Sequence, residues 1–183
     1  MDRQPVLEGE RLTLRPLRED DWDGLYGVAR DPAVWEQHPA YDRSREDVFA
    51  EFFEDALAKG GALAVMDTGK DAIIGSSRFQ EYSAEEGGSV EIGWTFLSPL
   101  YWGKGFNAEM KRLMLEHAFQ FVNRVDFKIG ETNYRSRIAM EKIGGQRSRR
   151  TELTQYRGKR VLHIYYEITA ESFETGPLMQ GKA

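Results

Sequence analysis

Apolar and polar residues alternate along the first patterned stretch of the chain, 11–17, and this alternation predicts a β-strand with one buried face. Two stretches with apolar residues at helical spacing follow it. The first begins at the acidic pair 20–21 and ends near Asp31, and the second follows Ser44, a residue type that commonly caps helices. The glycine pair 60–61 ends the second stretch, so the pattern predicts two consecutive helices.

The middle of the chain alternates apolar runs with turn-forming residues, which is typical of an antiparallel meander. After the meander, apolar residues at helical spacing from Phe106 to Phe121 predict a long helix. The predicted strands of the meander are 62–66, 72–82 and 89–97. The elements predicted after the long helix are a strand around 125–129, a helix over about 134–143, and strands at 146–156 and 160–168.

This order of elements predicts an α+β domain built on a mixed sheet. Only the strand 89–97, the long helix and the strand around 125–129 can form a parallel βαβ unit. We therefore expect a central, mostly antiparallel sheet of about seven strands flanked by about four helices. We expect a single domain over residues 1–170, followed by a weakly patterned and partly disordered tail at 171–183.

Composition excludes several classes of protein. The absence of cysteine removes disulfides, thiolate zinc sites and cysteine nucleophiles, and three scattered histidines predict no metal site. No stretch approaches the roughly 20 apolar residues of a membrane helix, and no apolar segment follows the polar start as in a secretory signal. A formal charge of −5 argues against nucleic-acid binding, although it would suit a cationic substrate. We expect a cytoplasmic protein without membrane or nucleic-acid partners.

A glycine-rich loop, Gly103-Lys104-Gly105, connects the last meander strand to the long helix. Glycines allow successive backbone N–H groups to converge on one ligand, and a helix N-terminus adds positive partial charge. The loop therefore suits a phosphate or diphosphate, with a turn that binds nothing as the alternative. It also fits the relaxed dinucleotide pattern G-x-G-x-x-A, but that pattern belongs in a doubly wound parallel sheet. The preceding meander and Pro99 argue against a nicotinamide cofactor.

Three motifs occur in order along the chain. They are Glu10-Arg11-Leu12-Thr13-Leu14-Arg15-Pro16-Leu17, then residues 90–109 with the glycine loop, then Asn133-Tyr134-Arg135-Ser136 followed by Glu141-Lys142-Ile143-Gly144-Gly145. Together they resemble the GCN5-related N-acetyltransferases, and most closely the branch that includes the ribosomal-protein N-terminal acetyltransferases. The resemblance covers about residues 7–168. Leu100 and Met140 depart from it, since many relatives have a phosphate-loop Arg or Gln and a tyrosine acid at these two positions.

This resemblance implies acetyl-CoA as co-substrate and a set of residues that contact it. The backbone of residues 95–97 would pair with the pantetheine amides, and N–H groups of residues 102–107 would hold the diphosphate. Asn133 and Ser136 would contact the cofactor from the next helix. The implied cofactor contacts are Thr95, Phe96, Leu97, Trp102, Gly103, Lys104, Gly105, Phe106, Asn107, Asn133 and Ser136.

Catalytic roles follow from the same resemblance. Glu91 is the candidate general base, because the resemblance places its strand face towards the acceptor; a solvated or salt-bridged strand carboxylate is the alternative. Ser136 would protonate the thiolate, and a serine in the first turn of a helix is the alternative. The loop with Trp35, His38 and Tyr41 would contact the acceptor, with surface packing as the alternative.

The sequence therefore predicts an N-acetyltransferase that moves the acetyl group of acetyl-CoA directly to a primary amine of a small molecule or a protein N-terminus. A catalytically inactive CoA-binding module and a nicotinamide-dependent oxidoreductase are the alternatives. The acceptor remains open between a protein α-amine, a polyamine, an amino acid and an aminoglycoside, and both a monomer and a homodimer are consistent with the sequence.

Overall fold

One eight-stranded sheet forms the centre of the computed structural model, which describes residues 1–181. Its strand order is β1-β2-β3-β4-β5-β6-β8-β7, and β5 with β6 is the one parallel pair. The strands are β1 (Leu7–Glu8), β2 (Leu12–Pro16), β3 (Ala62–Asp67), β4 (Ala72–Ser83), β5 (Ser89–Leu97), β6 (Arg124–Gly130), β7 (Gln146–Tyr156) and β8 (Lys159–Thr169). The α-helices are α1 (Trp22–Ala29), α2 (Glu46–Lys59), α3 (Phe106–Ala118), α4 (Tyr134–Lys142) and α5 (Ala170–Glu174).

The predicted α+β class, the mostly antiparallel mixed sheet and the single βαβ unit are confirmed. The described residues contain one strand and one helix more than the sequence predicted. The extra strand is β1, whose two residues pair with Leu14 and Thr13 and are too few to show alternation. Helix α2 begins at Glu46, after Arg45, rather than directly after Ser44.

The segment predicted as a partly disordered tail carries the extra helix, α5. Thr169 and Ser172 cap it reciprocally, since each side-chain oxygen accepts a hydrogen bond from the other residue's backbone N–H. Phe173 and Leu178 are buried against the core. The described part of the predicted tail, residues 171–181, thus carries a capped helix and two apolar anchors, and residues 182–183 lie outside the described part.

Helices cover the sheet on both faces and enclose two apolar clusters. The larger cluster lies between the sheet and α3, α4 and α5, with Met110, Met114 and Phe127 among its members. The smaller one is rich in aromatic rings and lies between α1, α2 and the other face of β2–β5, where Trp35 and Phe49 are buried. Side chains on opposite faces of β5 belong to the two clusters, so this strand is packed on both faces.

Strands β5 and β6 separate part-way along their length. Their pairing ends at Glu91 with Asp126, whereas β5 continues to Leu97 and β6 to Gly130. A β-bulge bends β5 just beyond this point, because Ser77 of β4 lies opposite two residues, 94 and 95. Trp94 has a φ of 56°, which is uncommon for a bulky side chain. The separation leaves the backbone edge of β5 free of strand partners on the β6 side.

Candidate active site

The gap between the separated strands opens into a cleft of about 750 Å³. One wall is β5 from Ile92 to Leu97, and the facing wall is β6 from Phe127 to Gly130. The first turns of α3 and α4 line one end, and the loop 34–39 closes over the other. Arg135 ties α4 to this loop, since its guanidinium donates to the carbonyls of Ala33 and Val34 and stacks 4.1 Å from the Trp102 ring.

The glycine loop presents a run of free backbone donors to the cleft. Gly103 and Gly105 have φ values of 70° and 81°, which only glycine adopts readily. The first backbone N–H of α3 with a helical partner is that of Glu109, which donates to the Gly105 carbonyl. In the described part of the chain, no group accepts a hydrogen bond from the N–H groups of residues 103–108. Such a run at a helix N-terminus is an anion site.

Arg11 holds this loop from outside the cleft. Its guanidinium donates to the carbonyl of Lys104 at 2.8 Å and to that of Gly105 at 3.2 Å. The same side chain forms an ion pair with Glu109 of α3 at 2.7 Å. Burial by itself raises the pKa of Glu109, but the backbone N–H and guanidinium of Arg11 outweigh it, so the carboxylate stays ionised. Because Arg11 holds the carbonyls of Lys104 and Gly105 on the outside, the N–H groups of the loop face the cleft.

The two faces of the sheet at the cleft carry different chemistry. On β6, Val125 and Phe127 point into the core beneath α3, so Asp126 and Lys128 point to the other face. On β5, Ile92 lies in that core, so Glu91 shares the face of Lys128. His163 of β8 pairs with Gly130 and completes this face. We name these three side chains, Glu91, Lys128 and His163, the polar face.

Two groups of the polar face, Glu91 and His163, have shifted pKa values. Burial raises the pKa of Glu91, although a hydrogen bond from Gln80 to its Oε1 at 2.7 Å acts in the opposite direction. Burial, helped by the charge of Lys128, lowers the pKa of His163 and favours the neutral imidazole. Lys128 itself forms an ion pair with Glu152 at 2.7 Å. A carboxyl with a raised pKa and a neutral imidazole are the groups that accept protons near neutral pH.

A family model described as an acetyltransferase (GNAT) domain matches residues 11–146. The chain belongs to the GNAT acetyltransferase family. The match spans the glycine loop, the separated strands and helix α4, which together form the cleft. It confirms the resemblance drawn from the motifs at the level of this family.

Named relatives and solved structures agree with this GNAT assignment. The chain is 29% identical over 140 residues to the uncharacterized N-acetyltransferase YnaD of Bacillus subtilis, covering 75% of this chain and 81% of that protein. A probable GNAT-family acetyltransferase from Chromobacterium violaceum shares the fold with a TM-score of 0.80 at 20% identity, over 92% of this chain and 88% of that one. Mycobacterium smegmatis RimJ, solved with a CoA disulfide, has a TM-score of 0.74 at 16% identity, over 97% and 95%.

Most of the predicted site residues of this GNAT chain line the cleft. The four exceptions are Glu91, which is described below; Lys104, which is exposed at the loop tip; Phe106, which packs edge-on against Tyr101; and Tyr41, which packs against Tyr156. The predicted residues that line it are Trp35, His38, Thr95, Phe96, Leu97, Trp102, Gly103, Gly105, Asn107, Asn133 and Ser136.

Asn133 and Ser136 are joined at the start of α4. The Asn133 Oδ1 accepts a hydrogen bond from the Ser136 backbone N–H at 3.2 Å, so the asparagine caps the helix and lines the cleft at once. This contact uses the backbone of Ser136 and leaves its hydroxyl for a ligand. Met140, where relatives have a tyrosine, also lines the cleft and supplies no proton.

Glu91 is placed differently from either expectation. Only 8% of the residue is exposed, and it forms no ion pair within the described residues, so it is not a solvated or salt-bridged carboxylate. It does not line the cleft, because its Oε1 lies under Gly93, 2.9 Å from where a Cβ would stand. Its proposed role as base therefore needs a water or a second group to reach the cleft.

Several cationic or basic residues that line the cleft were not predicted as site residues, namely Lys111, Lys128, Arg135, Lys142 and His163. Strand alternation around Phe127 could have placed Lys128 on the polar face. Nothing in the pattern of α3 separates Lys111 from its neighbour Arg112.

Two general features complete the description. No helix within residues 1–181 is long and apolar enough to cross a membrane. The same residues contain no group of three His, Asp or Glu side chains arranged to bind a metal ion.

Proposed function

We propose that this GNAT chain transfers the acetyl group of acetyl-CoA directly to a primary amine of a small molecule or of a protein N-terminus. The observation that carries the proposal is the cleft itself, in which a run of free N–H groups continues into the unpaired edge of β5. A diphosphate followed by an amide-bearing arm matches this succession of donors. The fold is also that of M. smegmatis RimJ, whose structure holds a CoA disulfide.

The residues present fit coenzyme A along its length. The loop 103–108 would hold the diphosphate, and the free edge of β5 at residues 95–97 would pair with the pantetheine amides. Asn133 and Ser136 lie beside this path on α4. The thioester would then lie near the bulge at Trp94, where the cleft passes between the strands to the polar face. Acetyl-CoA supplies an activated acyl group, and the protein supplies position and proton transfer.

The polar face would prepare the acceptor amine. A lysine-type amine in water has a pKa of about 10.4, so only about one in 2,500 molecules is neutral at pH 7. Glu91 is the proposed base, because its raised pKa makes it a stronger proton acceptor and it shares a sheet face with Lys128 and His163, where the acceptor would bind. Its burial beneath Gly93 means that water would relay the proton. Ser136, whose hydroxyl lines the cleft, is proposed to protonate the leaving thiolate.

The experiment that tests the function is a panel of amines with acetyl-CoA, followed by thiol release. The panel should include a peptide with a free N-terminus, a polyamine, an amino acid and an aminoglycoside. We expect one class to give turnover while CoA stabilises the fold against heating. Tight CoA binding without turnover by any amine would favour an inactive CoA-binding module, and stabilisation by NAD in place of CoA would favour an oxidoreductase.

A matched pair of variants tests the base. Glu91→Gln keeps the shape of the side chain and removes its charge, whereas Glu85→Gln makes the same change at an exposed position in the turn before β5. We expect E91Q to lower kcat/KM by about 100-fold, in the range for general bases, and E85Q to leave it unchanged. Equal activity of both variants would remove Glu91 from the mechanism and leave the transferase assignment in place.

A further inference from the structure

Lys111 is a buried lysine on the wall of the cleft. It lies on α3, only 4% exposed, and its ammonium donates to the Thr95 hydroxyl at 2.7 Å and to the Ser77 hydroxyl at 3.3 Å. The ring centroid of Phe127 on β6 lies 5.8 Å away. The side chain thus spans from α3 to the point where β5 and β6 separate.

No carboxylate compensates this cation. Within residues 1–181 it forms no ion pair, and its contacts on β4, β5 and β6 are two hydroxyls and an aromatic ring. Burial alone lowers the pKa of Lys111 to about 7. A buried ammonium without an anionic partner is costly, and a structural lysine would be replaced at little loss by an apolar side chain. The arrangement is explained if an anion arrives during the reaction.

The position of Lys111 decides which anion that is. Thr95 belongs to the β5 segment proposed to pair with pantetheine, and Thr95 and Leu97 point towards α3, on the opposite face from Glu91. An acceptor amine bound at the polar face brings no negative charge to the α3 side of the sheet, where Lys111 lies. During acetyl transfer negative charge develops first on the thioester oxygen and then on sulfur, and of the two only the sulfur leaves as a separate anion.

We propose that Lys111 is the cationic group that stabilises the departing thiolate of CoA, while Ser136 remains the proposed proton donor. This inference rests on the proposed transfer from acetyl-CoA. The amine nitrogen attacks the thioester carbon, the C–N bond forms, and the C–S bond breaks with its electron pair moving to sulfur. Ser136 gives sulfur one proton and regains one from solvent, while the base passes the proton lost by the neutral amine to solvent. Lys111 contributes its charge and exchanges no proton, so atoms and charges balance over the turnover.

The test measures the thiol pKa of bound CoA from the ultraviolet absorbance of its thiolate as pH is varied. This readout needs no acceptor and no turnover. With wild-type protein we expect a thiol pKa below that of free CoA, because the thiolate and the ammonium of Lys111 stabilise each other at about 4–6 Å, so the bound thiolate also keeps Lys111 protonated. In Lys111→Met the pKa should return to the free value or rise above it, and Lys111→Arg should keep it lowered.

The variants are chosen so that each outcome can be assigned. Ser77 and Thr95 already lie 2.8 Å apart, so their hydroxyls satisfy each other when the ammonium is removed and K111M should fold. Arg112→Met, at the next position on α3, removes a cation paired with Glu116 and serves as the control. With an accepted amine, K111M should lose about tenfold or more in kcat, K111R should retain most of it, and R112M should be unchanged.

Three results would overturn the inference. The first is an identical thiol pKa in wild type and K111M, each with CoA bound. The second is the same loss of kcat in K111R as in K111M. The third is stable acetylation of Lys111 after incubation with acetyl-CoA, since an acetylated lysine carries no charge. Failure of CoA to bind the wild-type protein would instead refute the proposed function.

Discussion

Replacing Arg11 by methionine tests whether the phosphate loop is held in shape from outside. The guanidinium makes three hydrogen bonds, to the carbonyls of Lys104 and Gly105 and to the carboxylate of Glu109. Methionine keeps an apolar stem and removes all three, together with the stacking of the guanidinium 4.9 Å from the Phe106 ring centroid. The loop carbonyls are then free to rotate, so the N–H groups of residues 103–108 no longer converge without a ligand.

The size of the effect depends on how exposed the Arg11 side chain is. Hydrogen bonds to charged groups contribute about 1.5–3 kcal/mol when buried. The Arg11 side chain is 46% exposed, so solvent replaces part of each bond and each contributes about half of the low end of that range, roughly 0.75 kcal/mol. The two contacts to the loop together should then favour the binding conformation by about 1.5 kcal/mol, and losing them should weaken CoA binding about tenfold.

Isothermal titration with two ligands isolates this effect. CoA carries the diphosphate and pantetheine does not, so R11M should weaken the binding of CoA and leave the binding of pantetheine unchanged. Arg112→Met removes a comparable arginine–glutamate pair further along α3 and should alter neither affinity. Unchanged CoA affinity in R11M, or an equal loss for both ligands, would contradict the role of Arg11 in shaping the loop.

Three other perturbations have defined outcomes. Gly105→Ala places a side chain at a φ of 81°, with its Cβ 3.0 Å from the Arg11 guanidinium, and should cost about 1–2 kcal/mol in a thermal melt together with CoA affinity. Asp21→Asn breaks the ion pair with Arg15, at 2.6 Å, and should cost roughly 3 kcal/mol at pH 7 in urea. Burial raises the pKa of Asp21 but Arg15 and the Arg18 N–H outweigh it; because the folded pKa lies below 3.8, the D21N deficit should shrink as pH falls below about 4. Burial lowers the pKa of Lys111 to about 7, so the unfolded chain binds an extra proton between about pH 7 and 10, and wild-type stability should rise with pH relative to K111M in that range.

Local patterns predicted the elements of the fold because each one carries its own signal. The meander is punctuated by turn residues at 67–71 and 85–88, and the change from alternation to helical spacing at Phe106 marks the βαβ unit. The glycine loop was found for the same reason, since its function depends on consecutive residues. Where the local signal was short, as in the two residues of β1 and the five of α5, the prediction missed the element.

Contacts between distant parts of the chain could not be predicted in this way. Arg11 reaches Lys104 across 93 positions, and a strand-edge arginine has many plausible partners. Lys111 lies between Met110 and Arg112, and both neighbours are ordinary for an amphipathic helix. Its burial depends on the gap that opens where β5 and β6 stop pairing, which is a property of the sheet. The bulge at Trp94 likewise follows from register with Ser77 and not from the residues of β5 alone.

The distribution of charge at the cleft changes what the net charge implies about the acceptor. The whole chain carries −5, which taken alone would suit a cationic substrate. The lining of the cleft contains no Asp or Glu among the described residues, whereas Lys111, Lys128, Arg135 and Lys142 are part of it. The acidic excess therefore lies elsewhere on the molecule, and the cleft's own field favours the phosphates of CoA. A polycationic acceptor would gain no attraction from these walls, so a polyamine or aminoglycoside is a weaker candidate than an amine with a neighbouring carboxylate or amide.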